Sequence, residues 1–250
     1  MRILGIIPAR YASTRFPGKP LIDILGKTMI QRVYEQAKLS GKLSEVVVAT
    51  DDERILNHIT SFGGRAVLTS DKHQSGTDRC AEVAEAFSDF EVFINIQGDE
   101  PCIDPTQIDL LCSCFAEEST ELATLVKEIK NPDELTNHNS PKVILNKDSE
   151  AIYFSRTTIP FIRNADSSEW LRLHTFYKHI GIYGYRKDAL KAITQLDVSS
   201  LEIAEALEQL RWIENGYRIK VAITDIETQA IDTPEDLEKI LRSLQNLKNQ

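Results

Sequence analysis

The sequence predicts an α/β protein built on a mostly parallel sheet, and three observations carry that prediction. Short apolar runs of strand length recur at 3–7, 46–49, 65–68 and 92–96. Segments with helical spacing or dense charge separate them, the rhythm of βαβ units. The 250 residues, 42% hydrophobic and 27% charged, suffice for one large domain or one domain carrying a subdomain.

Each element has its own signal. A helix over 29–39 places Met29, Ile30, Val33 and Ala37 on one side, and the next runs from about Asp52 to the breakers Gly63 and Gly64. A third helix is expected over 79–87, capped by Thr77 or Asp78. The strand in VFINIQGDEP then sets Asp99 at a strand's carboxyl end, before the breaker Pro101. From about 132 to 177 the alternation lapses into short strand candidates at 142–145 and 151–154 among polar loops. This predicts a single domain over 1–250 with an inserted subdomain at about 132–186. Its strand HIGIYGYR has no purely polar face, so both sides should be covered, one by a partner subunit. A helix over 200–215 and a strand over 219–224 follow. Thr233 then reads as an N-cap, Pro234 as a first helical residue, and Glu235 and Asp236 suit the positive end of that helix.

Composition narrows the function. A net charge of −9 argues against a nucleic-acid binder, which needs a broad basic face. No stretch approaches a membrane span, and ILGIIPA is too short for a signal core, so a cytoplasmic protein without membrane insertion is expected. Cys80, Cys102, Cys112 and Cys114 lack zinc-site spacing and are read as reduced, mostly buried thiols.

Against that acidic background, residues 1–20 carry Arg2, Arg10, Arg15 and Lys19 and no acid. The loop PARYASTRFPGKPL follows the first strand, at the carboxyl edge where open α/β sheets bind ligands. Arginine forks and a lysine point charge complement a polyphosphate, although the loop is neither a P-loop nor a G-x-G-x-x-G fingerprint. Charge alone fits equally a solvated basic loop paired with surface carboxylates. In QGDEP, consecutive residues face opposite ways, so only one of Asp99 and Glu100 should enter a cleft. Magnesium bound with a triphosphate takes one or two protein carboxylates, and Asp99 and Asp232 would supply such a pair from separate strand ends. A turn-forming Asp99 and a capping Asp232 fit the same residues.

Ser75 and Gly76 are small residues at a βα turn that let backbone groups approach a ligand. His73 and His179 are too far apart for a local metal motif. On a continuous helix Glu208 falls between Leu201, Ala204 and Trp212 on the apolar arc, while Glu202, Glu205 and Gln209 cluster elsewhere. A carboxylate there must be paired or face a polar cavity, so an ion pair and a ligand role both fit.

Taken in order, IIPARYASTRFPGKPL, VVVATDD, HQSGTDR, INIQGDEP, YFSRTTIPF, HIGIYGYR, LEQLR and DTPEDL make the sequence resemble the 3-deoxy-D-manno-octulosonate (Kdo) cytidylyltransferases, or CMP-Kdo synthetases, over nearly its whole length. The first block alone is shared with a wider group that includes CMP-sialic acid synthetases. The resemblance implies a Rossmann-like sheet of the nucleotide-diphospho-sugar transferase type, with a subdomain that builds a homodimer. It implies that CTP and the acidic keto-sugar Kdo give CMP-Kdo and pyrophosphate, with Mg2+, for lipopolysaccharide assembly. By the same resemblance, Lys19 and Arg10 steady charge on the α-phosphate, Arg15 holds the leaving phosphates, and Asp99 with Asp232 carries the metal. The cytidine side involves Ala9, Ser75, Gly76 and Arg79. Gln97, Arg156, His179, Tyr183, Glu208 and Gln209 face the sugar, Arg156 suiting its carboxylate. An 8-amino relative of Kdo or a sialic acid are the nearest alternative substrates, and a noncatalytic nucleotide-sugar sensor is a more remote alternative.

Overall fold

The first apolar run becomes β1 (Ile3–Ala9), buried at every position except Pro8. In the computed structural model, which describes residues 1–12 and 16–248, a 3-10 turn at Lys19–Leu21 follows the cation loop. A small hairpin, β2 (Asp23–Ile24) and β3 (Lys27–Thr28), then leads into α1 (Met29–Ala37). Next come β4 (Glu45–Thr50), α2 (Glu53–Ser61), β5 (Ala66–Leu68), α3 (Gly76–Ala86), β6 (Val92–Asn95) and α4 (Pro105–Ser113). The chain divides into two compact units, Met1–Asp109 with Thr228–Gln250, and Leu110–Glu227.

In the first unit the strands pair in parallel in the order β6-β1-β4-β5. Strands covered on both faces read as continuous apolar runs, which is why these were visible in sequence. The helices start where side chains satisfy free backbone N–H groups. Thr28 accepts from the Gln31 amide and Asp52 from the Arg54 amide. The third helix begins at Gly76 rather than at 79, because Ser75 and Asp78 form a reciprocal capping box. The cap is therefore Ser75, not Thr77 or Asp78.

The second unit contains β7 (Leu122–Glu128), α5 (Pro132–Thr136), β8 (Lys142–Leu145), β9 (Ala151–Ser155), α6 (Trp170–Leu173), β10 (Tyr177–Arg186), α7 (Lys187–Ile193), α8 (Ser200–Glu205), α9 (Gln209–Glu214) and β11 (Ile219–Ile223). Its strands run β11-β7-β10-β8-β9, with β11 and β7 parallel and the other pairs antiparallel. The stretch 132–186 lies inside this unit. On β10, Tyr183 and Tyr185 are buried, whereas a side chain at Gly181 would meet nothing within 4 Å. Coverage of both faces is therefore incomplete within the chain.

The single helix expected over 200–215 is two helices. Ala206 adopts φ 50°, a left-handed conformation, and breaks the helix between α8 and α9. The arc on which Glu208 was placed therefore does not exist: Ala204 is exposed, Gln209 is buried and Glu208 is half-buried.

The chain returns to the first unit through α10 (Pro234–Lys248). Thr233 and Asp236 cap it reciprocally, the Thr233 hydroxyl accepting from the Asp236 amide and the Asp236 carboxylate from the Thr233 amide. Ile231 and Ile240 join Ile24 and Met29 in a buried cluster that fixes this return. All four cysteines are free thiols; only Cys80 and Cys112 are buried, and Cys102 and Cys114 are half-buried.

Candidate active site

Three segments of the first unit converge at the carboxyl edge of β1 and β6. Gly98, just beyond β6, lies so near the end of β1 that a Cβ there would stand 2.7 Å from the Pro8 carbonyl oxygen. The 3-10 turn places Lys19, and its Nζ donates to Asp99 Oδ2 at 2.8 Å and to Asp232 Oδ1 at 3.3 Å. The two acids thus meet on one cation. The Ile231 amide donates to the Asp99 carbonyl at 2.9 Å, joining the segments that carry them.

Glu100, beyond the end of β6 like Asp99, takes a partner of its own. Its carboxylate accepts from the Thr228 hydroxyl. Burial pushes the Glu100 carboxyl up to about 7, with the Thr228 hydroxyl opposing and the charge of Asp99 adding to the rise.

Arg10 continues from β1 and donates to the carbonyls of His73 and Ser75, the latter at 3.4 Å. It thereby ties the cation loop to the turn before α3. The Ser75 hydroxyl accepts from the Asp78 amide at 3.1 Å, which leaves its own proton available. Ala9 is buried, and Gly76 sits beside Pro8 and Asn95. His73 pairs with Glu82. Arg15 lies outside the described residues. Gln97 is half-buried, and its carbonyl accepts from the Glu100 amide at 3.4 Å.

Arg79 departs from expectation. Its side chain is 0% exposed and donates to Thr69 and, at 3.2 Å, to Asp51. A guanidinium with no exposed surface braces α3 against the segments after β4 and β5, and its Nε has no hydrogen-bond partner among the described residues.

The second unit holds the other expected residues. The His179 Nε2 lies 3.0 Å from the Thr124 hydroxyl, and the ring packs between Phe154 and Tyr183. Burial lowers this imidazole to about 3, so it is neutral at physiological pH. The Tyr183 hydroxyl is buried without a hydrogen-bond partner among the described residues. Burial raises its pKa well above the usual phenol value, and Tyr185 and Glu208 add to the rise.

Arg156 is engaged by the backbone. Its Nε donates to the Glu205 carbonyl at 2.6 Å, Nη1 to His138 at 3.0 Å and Nη2 to Ala206 at 3.0 Å. Two of its five N–H groups thus hold the helix break and a third holds the turn at His138, and two remain for a ligand. Glu205 accepts from the Ser155 hydroxyl and the Arg156 amide, and Glu202 pairs with Arg211.

Thr124, Thr228 and the partner role of Glu100 were not foreseen. The strand bearing Thr124 was not identified, and nothing in the spacing links 228 to 100. The sequence does place two acids side by side in QGDEP, which was the available signal.

Among the described residues, no group of three or more His, Cys, Asp or Glu side chains is placed to hold a metal ion. Asp99 and Asp232 nevertheless already share one cation, and two hard carboxylates from separate segments suit a magnesium ion that takes its remaining oxygens from phosphate and water. No helix among the described residues is long and apolar enough to cross a membrane.

Residues 4–223 match the model of a cytidylyltransferase family. The chain is 60% identical to a 3-deoxy-manno-octulosonate cytidylyltransferase of Parabacteroides distasonis, covering 98% of this chain and 99% of that one. It is 57% identical to the protein of the same description in Bacteroides thetaiotaomicron, again over 98% and 99%. A solved CMP:2-keto-3-deoxy-manno-octonic acid synthetase complexed with CTP superposes with a TM-score of 0.91 at 41% identity, covering 98% of this chain and 99% of that one.

Proposed function

Because the chain belongs to the 3-deoxy-manno-octulosonate cytidylyltransferase family, we propose that it transfers the cytidylyl group of CTP to Kdo, releasing pyrophosphate and supplying CMP-Kdo for lipopolysaccharide assembly. The observation that carries the reading is the convergence of Asp99, Asp232 and Lys19 beside the cation loop.

In this transfer the sugar's anomeric oxygen bonds to the α-phosphorus as the bridge to the β-phosphate breaks. The α-phosphate is shielded by negative oxygens, so the protein's task is positioning and neutralisation. Lys19 and Arg10 face that charge, with Arg15 assigned to the leaving phosphates. A magnesium ion held by Asp99 and Asp232 would supply further charge neutralisation and polarise the attacking hydroxyl. Ser75, Gly76 and Ala9 are assigned to the nucleoside. Gln97, His179, Tyr183, Glu208 and Gln209 are assigned to sugar hydroxyls. The neutral His179 and the unpartnered Tyr183 hydroxyl support that assignment, because both present hydrogen-bonding groups without charge. Arg156 is assigned to the sugar carboxylate through its two unspent N–H groups.

The free thiols fit a reducing compartment, which supports a cytoplasmic location. Exposed large apolar side chains on the second unit, Ile152, Phe161 and Leu173 among them, support a homodimer, since association would remove them from water. Light scattering that returns the mass of one chain would contradict it.

A panel of acid sugars with CTP and Mg2+, read by pyrophosphate release, tests the function. Turnover with Kdo is expected; turnover only with 8-amino-Kdo or a sialic acid would overturn the substrate. Asp99→Asn should abolish magnesium-dependent turnover while leaving the fold intact, and near-normal activity would remove the metal assignment.

A further inference from the structure

Asp99 and Glu100 are neighbours in sequence with separate partners. Asp99 reaches Lys19 at 2.8 Å, while Glu100 accepts from the Thr228 hydroxyl. Thr228 is the first residue of the return into the first unit, and Asp232 lies four residues further on. The segment between them has no regular secondary structure. It is held to the QGDEP turn at two points: the Thr228 hydroxyl on Glu100, and the Ile231 amide on the Asp99 carbonyl at 2.9 Å. Beyond those ties, the Thr233 and Asp236 cap orders the start of α10. Glu100 is itself located by backbone bonds, its amide donating to Gln97 at 3.4 Å and its carbonyl accepting from Ile103 at 3.0 Å. A mostly buried carboxylate needs a donor, and Thr228 supplies one. The bond therefore joins a fixed turn to an irregular segment, just upstream of the second acid.

We propose that Glu100 and Thr228 are positioning residues that set the separation of the Asp99 and Asp232 carboxylates, and through it the affinity for the divalent cation. Neither side chain is assigned to the metal or the substrate. The inference rests on the reading of Asp99 and Asp232 as metal ligands, so the experiment tests both layers. Without the hydroxyl tie, the segment keeps the Ile231 bond, the buried Ile231 side chain and the hydrogen bond from the Asp232 amide to Asp236, but its start is no longer fixed to the QGDEP turn, and Asp232 samples a wider range of positions about Asp99.

The test is a Mn2+ titration of the full chain, with and without CTP, followed by water-proton relaxation enhancement, which reports protein-bound metal independently of turnover. Thr228→Val deletes the hydroxyl and keeps the shape; Thr228→Ser restores the hydroxyl; Asp99→Asn is the control for the site. Removing a partner that orients a metal ligand weakens metal binding about 10- to 100-fold. Thr228→Val should therefore need at least tenfold more Mn2+ for half-maximal enhancement, with Thr228→Ser close to wild type. Thr228→Ala, which adds no steric demand, should repeat the loss. Wild-type affinity in Thr228→Val and Thr228→Ala, alongside a loss in Asp99→Asn, overturns the positioning role and leaves the metal assignment standing. Failure of Thr228→Ser to restore binding also overturns it, since the hydroxyl would not be the agent. Wild-type binding in Asp99→Asn overturns both layers.

Discussion

Replacing Lys19 with methionine keeps the aliphatic stem and removes the ammonium that joins Asp99 at 2.8 Å to Asp232 at 3.3 Å. The side chains of Lys19, Asp99 and Asp232 are 16%, 26% and 48% exposed, so solvent screens both pairs. Each is worth about 0.2–1 kcal/mol on that account. Because both oxygens lie within reach of one nitrogen, they stand within about 6 Å of each other, and their mutual repulsion is present with or without the ammonium, so the loss is the sum of the two pairs. The variant should therefore lose about 1 kcal/mol, a fall in Tm of roughly 2–4 °C for a chain of this size. Thermal unfolding in EDTA measures the loss. Adding MgCl2 should recover much of it, because the freed carboxylate pair gains a divalent cation that binds only the folded chain. Wild type should gain less. A variant that melts with wild type in EDTA, or whose deficit is unchanged by magnesium, would refute the reasoning. Turnover stays low in either buffer, since the phosphate partner is gone.

Two further outcomes follow from packing and burial. Gly98→Ala brings a Cβ to 2.7 Å from the Pro8 carbonyl oxygen, and relieving that overlap should cost about 1–3 kcal/mol in thermal unfolding; an unchanged Tm contradicts the close approach. His179 is held down to about 3 when folded, against 6.5 for the free side chain. The unfolded chain then binds the proton first, so the stability linked to the neutral ring is complete above the unfolded pKa. It is lost as the pH falls toward the folded one, at about 1.4 kcal/mol per pH unit. Urea unfolding of His179→Gln should show a shallower acid limb than wild type, and parallel limbs would argue against the buried neutral ring.

Legibility in the sequence followed burial. The strands β1, β4 and β6 were readable because parallel strands covered on both sides are unbroken apolar runs; the edge strand β5, with Leu68 exposed, was readable as an apolar run between Gly64 and the polar stretch from Thr69. The start of α3 was misplaced although Ser75 and Asp78 carried the spacing of a capping box; the acid at the third position was read as a cap itself. The break at Ala206 had no local signal. Alanine favours helix, and what holds it left-handed is Arg156, distant in sequence, donating to the carbonyls of Glu205 and Ala206. The same distance effect concealed the candidate site. Local charge marked the cation loop, and QGDEP marked a strand end, but the meeting of Asp99 with Asp232 and of Glu100 with Thr228 is made by the return of the chain after the second unit. Arg79 shows the opposite error, a polar residue near a ligand loop whose charge is spent inside the fold.

The contact between Gly98 and the Pro8 carbonyl has an evolutionary consequence. Any side chain added at position 98 displaces the end of β1, and with it Ala9 and Arg10, so a change on the turn proposed to hold the metal is at once a change on the segment proposed for the nucleotide. Single substitutions at this point leave a lineage little room to alter one without the other. Arg156, His179, Tyr183, Glu208 and Gln209 belong to a separate compact unit and carry no such constraint from Gly98. On the proposed assignment of those residues to the sugar, divergence toward a new acid sugar has its open path there.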